Sequence, residues 1–111
     1  MAVLNAEDAR VMKLSQFCDG AVTLFSTQAN LVVLATHVSD GQRAVFIDHG
    51  QLILAQGSLR INLCTIASIP TAHNDSHPAR LTSILAAAAT AWALGISPAL
   101  IEAGLIAFES S

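Results

Sequence analysis

Charge is scarce in this sequence. Asp, Glu, Lys and Arg together make up 12% of its 111 residues, about half the share of an ordinary soluble domain. A chain this short exposes a large surface for its volume and would normally carry more charge, not less. The deficit points to surface meant to be covered by missing domains, a sister subunit or both. The five basic residues, Arg10, Lys13, Arg43, Arg60 and Arg80, are scattered, and the net charge is only −3. That balance argues against nucleic acid or an anionic membrane as a main partner. Lys13 is the sole lysine and sits in a helical pattern, not behind glycines. No G-x-x-x-x-G-K-[ST] occurs, so nothing in the sequence offers a backbone cradle for phosphates. The isolated chain is therefore expected to bind no ATP and to need no cofactor. Cys18 and Cys64 are too few for a disulfide scaffold and read as buried thiols. The longest uncharged apolar run, Ile84 to Ile96, is too short to span a bilayer. No basic stretch followed by an apolar one opens the chain, so the expected location is cytoplasmic.

What the sequence does have is an oily last third. Leu81, Ile84, Leu85, Ala88 and Trp92 recur at the spacing of one helical face. The positions between them are mostly alanine, the best helix former and the least obstructive neighbour. Gly95 stands where a left-handed C-terminal residue is wanted. Ser97-Pro98 then reads as N-cap and first position of a second helix, which carries Leu100, Ile101, Leu105 and Phe108. From Leu81 to Ser111 the only charges are Glu102 and Glu109. The pair is expected to be core, packed against something larger.

Ahead of it, Ala2-Val3-Leu4 reads as a buried strand, and Asn5 as the cap of a helix with Glu7 and Asp8 in its first turn. Val11, Leu14 and Phe17 mark that helix's buried face, and Asp19-Gly20 ends it. Ala21 to Phe25 is the next strand, completing a strand–helix–strand unit whose expected geometry is a right-handed parallel crossover. Three strands follow: Arg43 to Asp48, Gln51 to Gln56 and Arg60 to Ile66. They are joined at His49-Gly50 and Gly57-Ser58 by connections that signal an antiparallel meander. Thr71 to Pro78 is polar and irregular. Its His73, Asn74, Asp75 and His77 have metal-ligand types but precede a proline in a loop, so no metal site is expected.

Three segments, in order, carry a resemblance. Ala2-Val3-Leu4-Asn5-Ala6-Glu7-Asp8-Ala9-Arg10-Val11 resembles "V-L-N-A-D-D-P-R-V" of the Mur ligase family, and Gly41-Gln42-Arg43-Ala44-Val45-Phe46 resembles its "G-G-R-A-V-F". The run from Leu85 to Glu109 is similar to the end of the Mur central domain, above all to the Mur ligase-like region of cyanophycin synthetases. The resemblance covers nearly the whole chain. It implies one α/β domain over residues 1–111: the second half of a central domain, with a partial parallel sheet, a small meander and an alanine-rich helix pair. It also implies a short helix over Asn30 to Val38, where Leu31-Val32-Val33-Leu34 would read as a strand on propensity.

Such ligases use ATP and Mg²⁺ to activate a carboxylate as an acyl phosphate, which an amine then captures. The resemblance therefore implies a fragment of an amide ligase that extends an aspartate–arginine polymer in the parent and is inactive when isolated. The family's alanine helix opens "N-A-L-A-A", with the asparagine near the adenine; Ser83 holds that position here. A serine cannot give the paired amide contact that reads adenine. Asn5, Glu7 and Asp8 match the acidic motif. They either cap a helix or face the ligand cleft at the carboxyl end of a parallel strand. The competing reading is a free-standing, degenerate ligase half that acts as a dimeric interaction module without catalysis. On either reading the partners expected are a second copy or the missing ligase domains, and no catalytic residue is assigned.

Overall fold

Alternation within the strands and glycine between them dictate the middle of the molecule. The structure, a computed structural model, describes residues 2–13, 20–66 and 78–107, with the backbone alone for 78–80. In chain order its elements are β1 (Ala2–Asn5), α1 (Ala9–Met12), β2 (Val22–Ser26), α2 (Val32–Ser39) and β3 (Arg43–Asp48). They continue with β4 (Gln51–Gln56), β5 (Leu59–Thr65), α3 (Pro78–Ala93) and α4 (Pro98–Ala107). The five strands form one sheet in the order β1-β2-β3-β4-β5. The first two pairings are parallel and the last two antiparallel.

The expected antiparallel meander is present, and it continues the parallel sheet through β3. Its two turns follow their residues. His49 and Gly50 both have positive φ, the pattern of a type I′ turn, whereas in Gly57-Ser58 only the glycine does, the pattern of type II′. A register shift beside Leu52 and Ile53 leaves Leu63 as an extra residue of β5. Leu63 and Cys64 consequently both pack on the same core.

Successive residues of the strands point to opposite faces and build two cores. Phe25, Val45, Leu52, Leu54 and Leu63 meet Leu85, Ala88, Ala89 and Trp92 of α3 and Ile101 of α4. On the other face Val22, Leu24, Ala44, Phe46 and Ile53 meet Leu34 of α2, with Met12 and Val38 at the margin. Every residue of β2 is buried, as befits a parallel strand covered on both sides.

α3 runs opposite to the parallel strands. Near its end, Arg43 at the start of β3 donates from Nη1 to the Trp92 carbonyl at 2.5 Å and from Nε to Gln56 Oε1 at 3.3 Å. The same guanidinium lies 4.6 Å from the centroid of the Trp92 ring. Near the helix's beginning, Leu81 and Ile84 pack with Cys64 and Ile66 at the far end of the sheet.

The helix ends follow local chemistry. Gly95 has φ +89°, its N–H donates to Trp92 and that of Ile96 to Ala91, which together form a Schellman motif. Ser97 caps α4, accepting from Leu100 N–H on its hydroxyl and from Ile101 N–H on its carbonyl. α4 is only half core, however. Ile101 is buried and Leu105 partly so, but Leu100 is 66% exposed. Phe108 lies outside the described residues.

Three further boundaries differ from the sequence reading. Asn5 does not cap a helix; it continues β1, paired with Phe25, and the cap is Asp8. Pairing with β2 holds the backbone extended beyond the point where local propensity would turn it. β2 and β5 are each displaced by one residue, the first toward the C-terminus and the second toward the N-terminus. The short helix expected over Asn30 to Val38 is present at 32–39, despite its β-branched run. It is the crossover between parallel β2 and β3 and must lie on a face of the sheet. Leu14, Phe17, Cys18, Asp19 and the polar stretch from Thr71 to His77 lie outside the described residues.

Candidate functional site at the carboxyl edge of the sheet

The carboxyl ends of β1, β2 and β3 share one edge, where open parallel sheets bind ligands. α2 and α3 both begin toward it, since each runs back against the strands. His37, near the end of α2, donates from Nε2 to the Val22 carbonyl at 2.7 Å, at the opposite edge.

The two loops leaving β1 and β2 are fastened by Glu7. Its carboxylate accepts the Thr27 backbone N–H at 2.9 Å, the Thr27 hydroxyl at 3.1 and 3.2 Å, and the Gln28 side-chain amide at 3.2 Å. The Thr27 N–H is the main reason the Glu7 carboxyl is held below its ordinary range. Partial burial opposes it, and the hydroxyls of Thr27 and Ser26 and the Gln28 amide add to it. Ser26, fully buried, accepts the Gln28 N–H on its hydroxyl at 2.9 Å.

Asn5 and Asp8 turn the first of these loops. Asn5 Oδ1 accepts the Glu7 N–H at 2.9 Å, and Asp8 Oδ1 accepts the N–H groups of Arg10 and Val11 at 3.0 and 3.2 Å. Both side chains are spent on backbone donors, which is the helix-capping reading, shifted from Asn5 to Asp8. Ser83 lies exposed in the first half of α3, at the helix end nearest this edge, on a different element from the Asn5–Asp8 loop.

At the end of β3, Asp48 holds both neighbours. His49 Nδ1 is 2.8 Å and Arg60 Nη2 2.5 Å from its carboxylate oxygens, and the Arg60 guanidinium lies 5.5 Å from the Phe46 ring centroid. His49 and Arg60 are exposed, so these pairs add little stability. Cys64 is a half-buried free thiol whose pKa is pushed up, first by burial and then by the Glu102 carboxylate, so it is a poor nucleophile. Among the described residues no group of three or more His, Cys, Asp and Glu side chains has the geometry to hold a metal, and no helix is long and apolar enough to cross a membrane.

The sequence reading missed Thr27 and Gln28 as partners of Glu7. Their only signal is position: Ser26-Thr27-Gln28 is a polar triplet directly after an apolar strand, where a parallel strand delivers its chain to the ligand edge. The bond itself predicts a pH effect. A carboxyl depressed in the folded state stabilises the fold above its unfolded pKa, and that contribution vanishes as pH falls through the lowered value. Glu7→Gln is expected to cost little at neutral pH, since the group is exposed, and to flatten the acid limb of a urea-midpoint-against-pH curve. An acid limb identical to that of the parent chain would show that Glu7 has no such role.

No family model matches the chain. Curated relatives do. The cyanophycin synthetase of Nostoc sp. (strain PCC 7120 / SAG 25.82 / UTEX 2576) is 26% identical over 110 residues, 99% of this chain and 12% of the relative. That of Geminocystis herdmanii (strain PCC 6308) is 26% identical over 108 residues, 97% of this chain and 12% of the relative. This chain resembles one region of cyanophycin synthetases. It spans only about an eighth of their length; for the enzyme of Crocosphaera subtropica (strain ATCC 51142 / BH68) the share is 13%. The similarity runs across both the parallel and antiparallel parts of the sheet and both C-terminal helices.

Proposed function

We propose that this chain is the second half of a Mur ligase-like central domain, part of an ATP-dependent amide ligase of the cyanophycin synthetase type. The observation that carries the reading is the similarity over 99% of the chain. The sheet supports it: parallel strands deliver two polar loops and the start of an alanine-rich helix to one edge. In this reading the phosphates of ATP and its Mg²⁺ are held by a loop that these 111 residues do not contain. The present chain supplies one wall of the cleft. Glu7 sets the spacing of the two loops, Asn5 and Asp8 fix the turn between β1 and α1, and Ser83 occupies the position beside the adenine.

Two measurements test this. Mg-ATP is expected to leave the melting temperature of the chain by itself unchanged. Joined to a preceding segment that carries a phosphate loop, the chain is expected to gain about 2.7 kcal/mol at hundredfold saturation with nucleotide. A clear ATP-dependent rise for the chain alone contradicts the proposed division of labour. No rise in the joined protein contradicts the ligase reading itself.

A further inference from the structure

We propose that a cleft at the amino edge of the sheet, beside the end of α3, binds a small organic carboxylate through the Arg43 guanidinium.

Thr23, Arg43 and Gln56 are register neighbours on β2, β3 and β4. Their side chains therefore rise in one row from the same face, the one that α3 covers. α3 stops at Ala93, so the row lies where the layer between helix and sheet opens to solvent. Thr23, Gln42, Arg43, Gln56 and Ala93 line a cavity of about 350 Å³ there.

Arg43 is half-buried, yet no acid neutralises it. Among the described residues the ion pairs all belong to Asp48, and no carboxylate lines the cavity. Asp40, the nearest acid in sequence, lines a separate cavity against α2. The C-terminal end of α3, whose Trp92 carbonyl accepts from Nη1, offsets only about half an elementary charge. Taking a cation out of water without a full counter-charge is costly. An anion in the cleft supplies what is missing.

The guanidinium is also held ready. Nε donates to Gln56 Oε1, and Gln56 is itself fixed by donating from Nε2 to the Gly41 carbonyl at 3.1 Å. The Trp92 ring lies against the same group. These contacts leave Nη2 without a partner among the described residues. The half-buried Gln42 side-chain amide is likewise unpartnered among them. An oriented planar fork with open N–H groups matches the two oxygens of a carboxylate. A phosphate suits the cleft less well. One cation faces it and the adjoining helix end repels negative charge, so one charge is favoured over two. The site lies at the edge opposite the nucleotide of the ligase reading and is independent of that reading.

Trp92, the single tryptophan, lies against Arg43 and reports binding in the full chain by fluorescence at constant ionic strength. Propionate is expected to change the emission saturably, with half-saturation at about 1–10 mM. Propionamide, which keeps the shape but not the charge, is expected to have no effect. Gln42→Glu sets a carboxylate of the chain's own beside Arg43. It is expected to weaken propionate binding at least about tenfold while leaving the melting temperature unchanged or higher. The absence of a saturable change up to about 100 mM propionate overturns the proposal, as does an equal response to propionamide. So does undiminished affinity in the Gln42→Glu protein, which would place the anion elsewhere, and so does phosphate binding more tightly than propionate.

Discussion

Leu85→Ala is expected to lower the stability of the fold by about 3–5 kcal/mol, the upper part of the range for emptying a leucine site in a closed core. Leu85 is completely buried on the inner side of α3, in the cluster that contains Phe25, Val45, Leu54 and Trp92. Its neighbours are strands of the sheet, which cannot collapse into the vacated space without losing their own ladder. Marginal domains hold only about 5–15 kcal/mol in all, so the variant stands near the limit of folding. Leu100→Ala provides the internal comparison. The residue type and helix pair are the same, but Leu100 is 66% exposed, and the expected loss in the dilute monomer is within about 0.5 kcal/mol. Urea midpoints with an unchanged slope measure both. Equal losses at the two positions would mean that α3 is not seated on the sheet as described.

The second large effect is expected at Arg43. Arg43→Met keeps the aliphatic stem but removes the donor to the Trp92 carbonyl, the bond to Gln56 and the contact with the indole face. A bond from a charged donor contributes about 1.5–3 kcal/mol and the cation–π contact about 0.5–2 kcal/mol. Gly95 N–H still reaches the same carbonyl, so the carbonyl is not orphaned. The net loss is expected at about 2–3 kcal/mol. Arg43→Lys should recover only part of it, because an ammonium cannot span both acceptors and lie flat on the ring. Trp92 is the chain's single tryptophan, so its fluorescence reports on the site directly. A red-shifted emission in the folded Met variant would show the indole losing its cover, and an unchanged spectrum with unchanged stability would refute the clamp.

The features legible in the sequence are those decided within a few residues. Gly95, then Ser97-Pro98, place the joint between α3 and α4 because a left-handed residue and an N-cap are properties of the local backbone. His49-Gly50 and Gly57-Ser58 place the hairpins for the same reason. The rest is set across the chain. Asn5 has the chemistry of a cap, but pairing with Phe25, twenty residues away, keeps it in β1 and hands the cap to Asp8. Leu31 to Leu34 favour a strand, yet the crossover geometry makes 32–39 a helix, with Leu34 buried and Val32 81% exposed. Glu7 was visible as a motif residue, but its bond to Thr27 depends on two strands lying side by side. Periodicity places Leu100 with the core, because it marks a residue as apolar without saying whether its cover lies inside or outside the chain.

β3 belongs to two regimes of assembly at once. On one side it joins β4 and β5 through two-residue turns, so those contacts close quickly and at small entropic cost. On its other side it waits for β2, and through β2 for β1, by way of crossovers that must be spanned before any bond forms. Loop-closure entropy therefore favours the meander as the part that closes first, with the parallel strands and the polar loops at the carboxyl edge expected to join it later. Destabilising β4 or β5 is then expected to slow folding more than an equal destabilisation of β1, which stopped-flow refolding of the variants would measure.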